Sequence, residues 1–269
     1  HLSDLHFGAH DPAVVTRLEE WLAAARPDLV VVSGDLTQRA RAAQFRAADA
    51  LLRRIEAGGM EVVVVPGNHD VPLYDVFRRF LSPLGRYCRI IQRGRRDRYR
   101  DDEIAVLGLF SPRSLTIKDG RLNREQIAEI EAHFASLPRR VIRLLVTHHP
   151  IVPLPGHREG AVLAPLDNGA AALAAARAAH VHLLLAGHNH MAHIANEIAS
   201  RSADAGILVV QAGTATSVRR RGEPNSFNLI AIEPGHLSID VMASVDGRPF
   251  TATAAHHFTL DDAGWRRAA

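Results

Sequence analysis

The sequence predicts an α/β fold in which helices cover two β-sheets. In the first half of the 269 residues, short apolar runs rich in β-branched residues alternate with amphipathic helical periodicity, which is typical of βαβ units with buried parallel strands. After His190, strand patterns follow one another without a long helix, which indicates an antiparallel set packed beside the first sheet. No repeat and no linker rich in Pro, Gly or Ser divides the chain, so we expect a single domain over residues 1–269.

The first half contains three strand patterns with two helical patterns between them. In chain order these are the strand His1–Ser3, the helix Ala13–Ala25, the strand Asp28–Ser33, the helix Ala40–Ala57 and the strand Glu61–Val65. A short helix is expected over Leu73–Leu81, followed by a pair of strands, Tyr87–Gln92 and Ile104–Leu109. Between these strands, Arg93–Arg100 is interpreted as a solvated hairpin turn in preference to a nucleic-acid-binding arm, because it is short and acidic residues interrupt it.

The second half begins with a helix over Asn123–Ser136, where the asparagine is a suitable N-terminal cap. The apolar strands Val141–Val146 and Val181–Ala186 follow, separated by a loop and by the Ala-rich helix Gly169–Ala179. The strand patterns expected to form the antiparallel set are Ile194–Ile198, Gly206–Gln211, Phe227–Ile232, Leu237–Ala243 and Thr251–Phe258.

Composition limits the compartment and the partners. The formal net charge is only +3, and Lys118 is the only lysine, so the positive charge is nearly all arginine and is weak evidence for nucleic-acid binding. Cys88 is the only cysteine, which excludes an intrachain disulfide and a thiolate-rich metal site and favours a reducing, cytoplasmic compartment. No apolar run approaches the roughly 18 residues that span a membrane. Because the chain starts without methionine inside a strand pattern, we expect a few residues upstream of His1.

Five short polar clusters distinguish this chain, and four of them directly follow an apolar run. They are Asp4-Leu5-His6, Gly34-Asp35, Gly67-Asn68-His69-Asp70, Thr147-His148-His149-Pro150 and Gly187-His188-Asn189-His190. Asp, Asn and His supply the hard and borderline donors that divalent cations accept. Because ligands of open α/β sheets bind outside the carboxyl ends of the strands, the clusters are expected to meet at one edge. A site for two metal ions accounts for all five.

The spacing within the clusters supports a metal site. Asp4 and His6 are two residues apart, as are the two histidines of the last cluster, so on an extended backbone each pair points to one face. Gly34 permits a tight turn that brings the Asp35 carboxylate inward, where its two oxygens can bridge two cations. A single His or Asp near a strand end is more often structural, but seven candidate ligands at strand ends are not explained in that way.

In this order, the motifs Asp-x-His, Gly-Asp, Gly-Asn-His-Asp, an apolar strand leading to His, and Gly-His-x-His resemble those of the calcineurin-type metallophosphoesterases. The resemblance runs from His1 to about Ser217. Within that family, His1-Leu-Ser-Asp-Leu-His-Phe and Thr-His-His-Pro look most like the bacterial class III cyclic nucleotide phosphodiesterases and their relatives. The resemblance implies a four-layer sandwich of two mixed β-sheets flanked by helices, and a metal-dependent phosphoester hydrolase.

The resemblance also implies two sets of metal ligands. Asp4, His6, Asp35 and His190 would hold the first divalent ion, and Asp35, Asn68, His148 and His188 would hold the second, with Asp35 bridging. Mn, Fe and Zn are the ions expected for such mixed oxygen and nitrogen ligands. Two cations lower the pKa of a bridging water toward neutrality, so that hydroxide can attack phosphorus in line.

In addition to the metal ligands, two residues are expected to take part in the reaction. His69 lies outside the ligand pattern and is expected to contact the phosphate and to donate a proton or a hydrogen bond to the leaving oxygen. Asp70, its neighbour, is the candidate for orienting the His69 imidazole.

Hydrolysis of phosphodiesters is the leading function, with cyclic nucleotides as the first substrates to test. The alternatives are a phosphomonoesterase, a nucleotide-sugar pyrophosphatase or a nuclease of the same family and, least favoured, a nonenzymatic metal-stabilised interaction module. The complete ligand set and the noncoordinating His69 argue against the module. Short, interrupted Arg clusters argue against a nuclease, which needs an extended basic track. We therefore expect a small-molecule phosphoester substrate.

Specificity is expected to reside in the irregular segments Leu109–Arg121 and Ile151–Asn168. The sequence leaves two roles open. His149 either packs in the core or donates a hydrogen bond to a carboxylate or carbonyl behind the ligands. The residues Arg219–Arg221 either reach a substrate phosphate or form a solvated turn, and the turn is favoured. The other histidines near the motifs are expected in loops or on the surface: His10, His157 and His193. Nothing in the sequence indicates an oligomeric state.

Overall fold

A computed structural model of the chain describes residues 1–153, 165–196, 206–220, 222–261 and 264–268. Part of the loop Ile151–Asn168 and the end of the strand predicted over Ile194–Ile198 lie outside these residues, as do His157 and Arg221. No helix in the described ranges is both long enough and apolar enough to cross a membrane.

The helices in the described part of the chain are α1 (Pro12–Ala25), α2 (Ala42–Ala57), α3 (Val76–Leu81), α4 (Gly85–Ile90), α5 (Arg124–Phe134) and α6 (Gly169–Ala178). Helix α1 begins after Asp11, whose carboxylate accepts a hydrogen bond from the Ala13 N–H, and Pro12 occupies the first helical position. Helix α5 begins with a reciprocal capping box between Asn123 and Gln126, so the predicted asparagine cap is confirmed.

The strands are β1 (Leu29–Ser33), β2 (Glu61–Val65), β3 (Arg98–Arg100), β4 (Ile104–Gly108), β5 (Ile142–Val146), β6 (Leu183–Ala186), β7 (His193–Asn196), β8 (Leu208–Gln211), β9 (Asn225–Glu233), β10 (His236–Ser244), β11 (Thr251–Asp261) and β12 (Gly264–Arg267). Sheet I has the order β3-β4-β5-β6-β8-β7. Its four inner strands are parallel, and β3 and β7 pair antiparallel at the two edges.

Sheet II is joined through the start of the chain. Strands β1 and β2 are parallel, whereas β9 to β12 form an antiparallel meander in the order β12-β11-β10-β9. The N-terminal segment lies between these two parts: Leu2 N–H donates to Val31 O at 2.8 Å, and Asn228 N–H donates to His1 O at 3.0 Å. Both sheets are therefore mixed, as expected.

Apolar side chains fill three interfaces, which gives the order helix, sheet, sheet, helix. Residues of both sheets, among them Val63, Leu144 and Trp265, pack between the sheets. Helices α1, α2 and α4 pack on the outer face of sheet II. Helices α5 and α6 pack on the outer face of sheet I. The four-layer α/β sandwich predicted from the resemblance is confirmed.

Three details of the prediction are wrong. Tyr87–Gln92 contains α4 and no strand, because Tyr87 and Ile91 lie four residues apart, on one helical face, and are fully buried. The antiparallel partner of β4 is β3, inside the segment predicted as a hairpin turn. Strands β7 and β8 belong to sheet I and not to the antiparallel set, since β8 pairs in parallel with β6.

Candidate metal centre

The five polar clusters follow strand ends in both sheets. Sheet II contributes Asp4 after the N-terminal segment, Asp35 after β1 and Asn68 after β2; sheet I contributes His148 after β5, and His188 and His190 after β6. Because the sheets are stacked, the carboxyl ends of their parallel strands meet at one edge of the sandwich. The site is therefore built from both sheets.

The first group of candidate ligands is enclosed by protein. It contains Asp4, His6, Asp35 and His190, whose candidate ligand atoms all lie within 4.8 Å of one another. His6 Nε2 lies 3.2 Å from His190 Nε2 and 3.5 Å from both Asp4 Oδ1 and Asp35 Oδ2. Asp4 Oδ1 is buried and makes no hydrogen bond of acceptable geometry, although His190 Nε2 is 3.2 Å away. A buried carboxylate oxygen without a donor fits the place of a metal ligand.

The second group lies on the other side of Asp35. Asn68 Oδ1 is 3.0 Å from His148 Nε2 and 3.0 Å from His188 Nδ1, and these two ring nitrogens are 3.2 Å apart. Asp35 Oδ2 lies 3.5 Å from His148 Nε2, and the same oxygen lies 3.5 Å from His6 Nε2. The structure thus brings all seven predicted ligands together, with one carboxylate oxygen between the two groups.

Backbone carbonyls set the orientation of two of the imidazoles. His148 Nδ1 is 2.8 Å from Ser33 O, and His190 Nδ1 is 2.7 Å from Arg219 O. A carbonyl only accepts, so in both rings Nδ1–H donates and the lone pair of Nε2 faces the cluster. A hydrogen bond from the second ring nitrogen is the usual way in which a protein orients a metal-binding histidine.

The backbone at the cluster is not extended. Positive φ angles between 49° and 73° occur at Asp4, His6, Asp35, His188 and His190. The side chains of each predicted pair do lie close together. The predicted reason, an extended backbone that points both to one face, is wrong. Left-handed backbone at non-glycine residues costs of order 1–3 kcal/mol each and is concentrated at functional sites.

Two glycines allow the strand ends to approach closely. Gly34 has φ +94°, and a Cβ atom there would lie 2.6 Å from His148 Nδ1. A Cβ atom at Gly67 would lie 2.2 Å from Asp35 Oδ1. The turn predicted at Gly34 is confirmed, and its lack of a side chain also makes room for a ligand from the other sheet.

The charges of the cluster depend on one another. Burial alone would raise the pKa of Asp4, but His190, His6 and His148 outweigh burial and hold this pKa well below its usual range. Burial would lower the pKa of His190, and the facing Asp4 carboxylate reverses this and raises it. The carboxylates therefore stay ionised in the interior, as ligands of a cation must.

His69 stands at the edge of the cluster. Its Nδ1 is 2.9 Å from Gln38 O, so Nδ1–H donates there, and Arg219 Nη1 donates to its Nε2 at 3.1 Å. Its backbone N–H donates to Asp35 Oδ1 at 2.8 Å. Burial lowers the pKa of the His69 imidazole, and the Asp35 carboxylate offsets part of this shift.

A pocket of about 380 Å³ opens over the cluster. It is lined by Asp35, Asn68, His69, Lys118, His188, His190, Arg219 and Arg220. Arg219 is exposed in an irregular segment, as the favoured solvated turn requires, and its side chain also contacts His69 and lines the pocket. Lys118 was not recognised from the sequence, where its only signal is its place in the segment Leu109–Arg121. Three cationic side chains make the pocket suitable for an anion.

Asp70 does not orient the His69 imidazole, so that prediction is wrong. Its Oδ2 accepts from Gly67 N–H at 2.9 Å and from Leu36 N–H at 3.1 Å, and its Oδ1 accepts from Thr37 N–H and Thr37 Oγ1, both at 2.9 Å. Burial, together with Asp35, raises the pKa of Asp70 to about 6. Asp70 thus joins the loop after β1 to the loop after β2.

The Asp70→Asn variant is expected to lower the free energy of unfolding of the metal-free protein by about 1–3 kcal/mol at pH 7.5, because one acceptor oxygen becomes an NH2 group and at least one buried N–H donor loses its acceptor. Urea denaturation measures this change. The matched control is Asp246→Asn, at an exposed turn, where a change within about 0.5 kcal/mol is expected. Equal stability of both variants would show that the four hydrogen bonds of Asp70 do not hold the loops.

The remaining histidines near the motifs are not part of the cluster. His149 is fully buried, and its Nδ1 lies 2.8 Å from Ser111 Oγ, while the backbone of Lys118 is a further polar neighbour of the ring. Burial lowers the pKa of His149 to about 3, and the imidazole is neutral. His193 lies in β7 and not in a loop, and His10 packs at 4.6 Å from the Phe7 ring.

Comparisons with known proteins agree with this geometry. A family model described as calcineurin-like phosphoesterase matches residues 1–192. The chain is 30% identical over 261 residues to a cAMP/cGMP dual specificity phosphodiesterase of Mycobacterium tuberculosis, with 87% of this chain and 75% of that protein covered. It is 29% identical over 206 residues to a glycerophosphodiester phosphodiesterase of Enterobacter lignolyticus, with 71% and 69% covered. A dimetal phosphatase from Danio rerio has a similar fold, with a TM-score of 0.65, 14% identity and coverage of 97% and 98%.

Proposed function

Because the chain belongs to the calcineurin-like phosphoesterase family of metal-dependent phosphoester hydrolases, we propose that it hydrolyses phosphodiesters at the Asp/His cluster. The observation that carries this proposal is the position of Asp35, whose Oδ2 lies 3.5 Å from His6 Nε2 and 3.5 Å from His148 Nε2. A carboxylate shared by two ligand groups suits two cations that act on one phosphate.

In this proposal each metal has four protein ligands. Asp4, His6, Asp35 and His190 hold one ion, and Asp35, Asn68, His148 and His188 hold the other. Mn, Fe and Zn suit these oxygen and nitrogen donors. When bound, such a pair lowers the pKa of water and neutralises negative charge on the phosphoryl oxygens.

The other residues of the pocket position the phosphate and the leaving group. The carbonyl of Gln38 accepts from Nδ1–H and holds the His69 ring with Nε2 toward the pocket. When the ring is protonated and the Arg219 guanidinium has moved from this nitrogen to the phosphate, Nε2–H donates a hydrogen bond or a proton to the leaving oxygen. Arg219, which contacts the same nitrogen, binds a phosphate oxygen through charge-assisted hydrogen bonds. Lys118 and Arg220 add positive charge along the wall of the pocket.

The two curated relatives support a diester substrate. One is a phosphodiesterase of cAMP and cGMP, and the other is a phosphodiesterase of glycerophosphodiesters. Cyclic nucleotides are therefore the first substrates to test, and glycerophosphodiesters the second.

The test is a hydrolysis screen of protein loaded with Mn, Fe or Zn. Its substrates are cyclic AMP, a glycerophosphodiester, bis(4-nitrophenyl) phosphate and 4-nitrophenyl phosphate. We expect kcat/KM for the aryl diester to exceed that for the aryl monoester by at least about tenfold, because both relatives are phosphodiesterases. Comparable values for the two aryl esters would remove the preference for diesters.

A further inference from the structure

We infer that the pocket continues into an apolar subsite that binds the hydrocarbon part of an amphiphilic phosphodiester. This inference rests on the proposed phosphodiesterase function and names a class of substrate for it. The subsite, called the apolar platform, consists of exposed side chains on α3, on the segment just before it and on the loop between β4 and α5: Tyr74, Phe77, Phe80, Leu81, Leu115 and Ile117.

Helix α3 exposes apolar side chains and buries an arginine, which is the reverse of an ordinary surface helix. Phe77 is 81% exposed and Leu81 is 82% exposed, whereas Arg79 on the same helix is only 8% exposed. The Arg79 guanidinium donates to Pro72 O at 3.0 Å and also to Thr116 O. These bonds hold α3 against the loop with its apolar side chains in water. Contiguous exposed apolar surface of this kind typically marks a binding site.

One end of the platform is continuous with the metal centre through Asn68. The Asn68 side chain donates from Nδ2 to Ile117 O at 3.2 Å, which leaves its Oδ1 for the second ligand group. Ile117 is 57% exposed, and the next residue, Lys118, lines the pocket. The apolar surface therefore begins beside a proposed metal ligand.

The other end of the platform adjoins His69. The Arg39 guanidinium lies over the Tyr74 ring, 5.2 Å from its centroid. Gln38, the residue before Arg39, accepts the hydrogen bond that orients the His69 imidazole. The platform therefore borders the pocket both at Asn68 and near His69, so the substituent that stays on phosphorus, as well as the leaving group, lies within its reach.

Charge complementarity identifies the occupant. The pocket presents Lys118, Arg219 and Arg220, which suit an anionic phosphate, and the adjoining platform presents aliphatic and aromatic side chains without a charged group of its own. A molecule with a phosphodiester at one end and an alkyl or acyl chain at the other matches both surfaces. A cyclic nucleotide carries no such chain and would leave most of the platform in water.

The test compares methyl 4-nitrophenyl phosphate with octyl 4-nitrophenyl phosphate, below the concentration at which the octyl ester forms micelles. We expect kcat/KM for the octyl ester to be at least about tenfold higher, since burial of two CH₂ groups already corresponds to a factor of about ten. Because both esters release 4-nitrophenolate, the chemistry at the leaving group is the same.

The double variant Phe77→Ser/Leu81→Ser is expected to reduce the octyl-to-methyl ratio of kcat/KM at least about fivefold. Both side chains are exposed, so the fold does not depend on their packing. Val245→Ser is the matched control, because Val245 is an exposed apolar residue between β10 and β11, outside the platform, and its ratio should equal that of the parent chain.

A binding measurement separates this inference from the proposed function. Calorimetric titration with octyl phosphate and methyl phosphate is expected to show tighter binding of the octyl compound, and the double variant is expected to lose the difference. If neither diester is hydrolysed but this difference is found, the phosphodiesterase proposal fails and the apolar subsite stands. Equal affinity for both ligands, or equal kcat/KM for both esters, overturns the subsite.

Other occupants of the platform would give different results. If the platform joins two copies of this chain, light scattering will show a dimer that the double variant dissociates, with no preference for the octyl ligand. If it binds a bilayer, the chain will sediment with phosphatidylcholine vesicles, and the double variant will not. Either result without an octyl preference overturns the inference.

Discussion

Replacing Asp35 with asparagine is expected to empty both metal positions and to lower kcat by at least about 10³-fold. Among the seven candidate ligands, Asp35 contributes the oxygen that faces both groups: its Oδ2 lies 3.5 Å from His6 Nε2 and from His148 Nε2. An asparagine keeps the shape of the side chain and an acceptor for the His69 N–H, but it removes the negative charge between the two cations. Elemental analysis after gel filtration measures the metal content, and the hydrolysis of bis(4-nitrophenyl) phosphate measures kcat.

The control for this substitution is Asp246→Asn. Asp246 is exposed and has φ 49°, a left-handed conformation that asparagine also tolerates, so the same chemical change is made at a comparable backbone. We expect two metals per chain and unchanged kcat in the control. Two metals per chain with full activity in Asp35→Asn would show that Asp35 is not the bridging ligand.

The His69→Ala variant is expected to retain both metals and to lower kcat by about 10²–10⁴-fold, the usual range for loss of a general acid. Alanine keeps the backbone N–H that donates to Asp35 Oδ1 at 2.8 Å, so the metal ligands stay in place. The loss should be largest for diesters whose leaving group has a high pKa, because these need a proton or hydrogen bond at the leaving oxygen. A series of substituted aryl diesters measures this dependence.

His236→Ala is the matched control for His69→Ala, since His236 is exposed at the start of β10, outside the pocket. Its kcat and its leaving-group dependence should equal those of the parent chain. Loss of metal from His69→Ala would instead place His69 among the groups that hold the ions. An equal loss of kcat for all leaving groups would assign it to the binding of phosphate alone.

The secondary structure could be predicted where the pattern admits one solution. Val30–Val32 and Val62–Val65 are β-branched runs too short for helices and are buried on both faces, so both strands were predicted correctly. The short segment Tyr87–Gln92 fits a strand or a helix equally well by its apolar residues. Its packing decides for the helix: the Tyr87 hydroxyl donates to Val64 O at 2.8 Å, which anchors α4 against β2.

The sequence was sufficient to predict which side chains form the site but not their backbone geometry. The donor type of Asp4 and His6 and their position after a strand pattern predict that they act together, and the structure brings them together. The reason given for their convergence fails, because both have positive φ and neither lies on an extended strand. Pattern rules describe ordinary backbone, and strained conformations depend on contacts that a local pattern does not contain.

The class of metal-dependent phosphoester hydrolase and the candidate donors could be predicted from the sequence, because they depend on the type and the order of short polar clusters along the chain. Only the tertiary structure showed that Asp70 ties two loops together, that Lys118 and Arg219 line the pocket, and that Phe77 and Leu81 face water beside it. These properties arise when segments far apart in sequence are brought together by the stacking of two sheets, and no spacing within one segment encodes them. For this protein the reaction class can therefore be predicted from sequence motifs, whereas the surfaces proposed to select a substrate can be identified only in the folded structure.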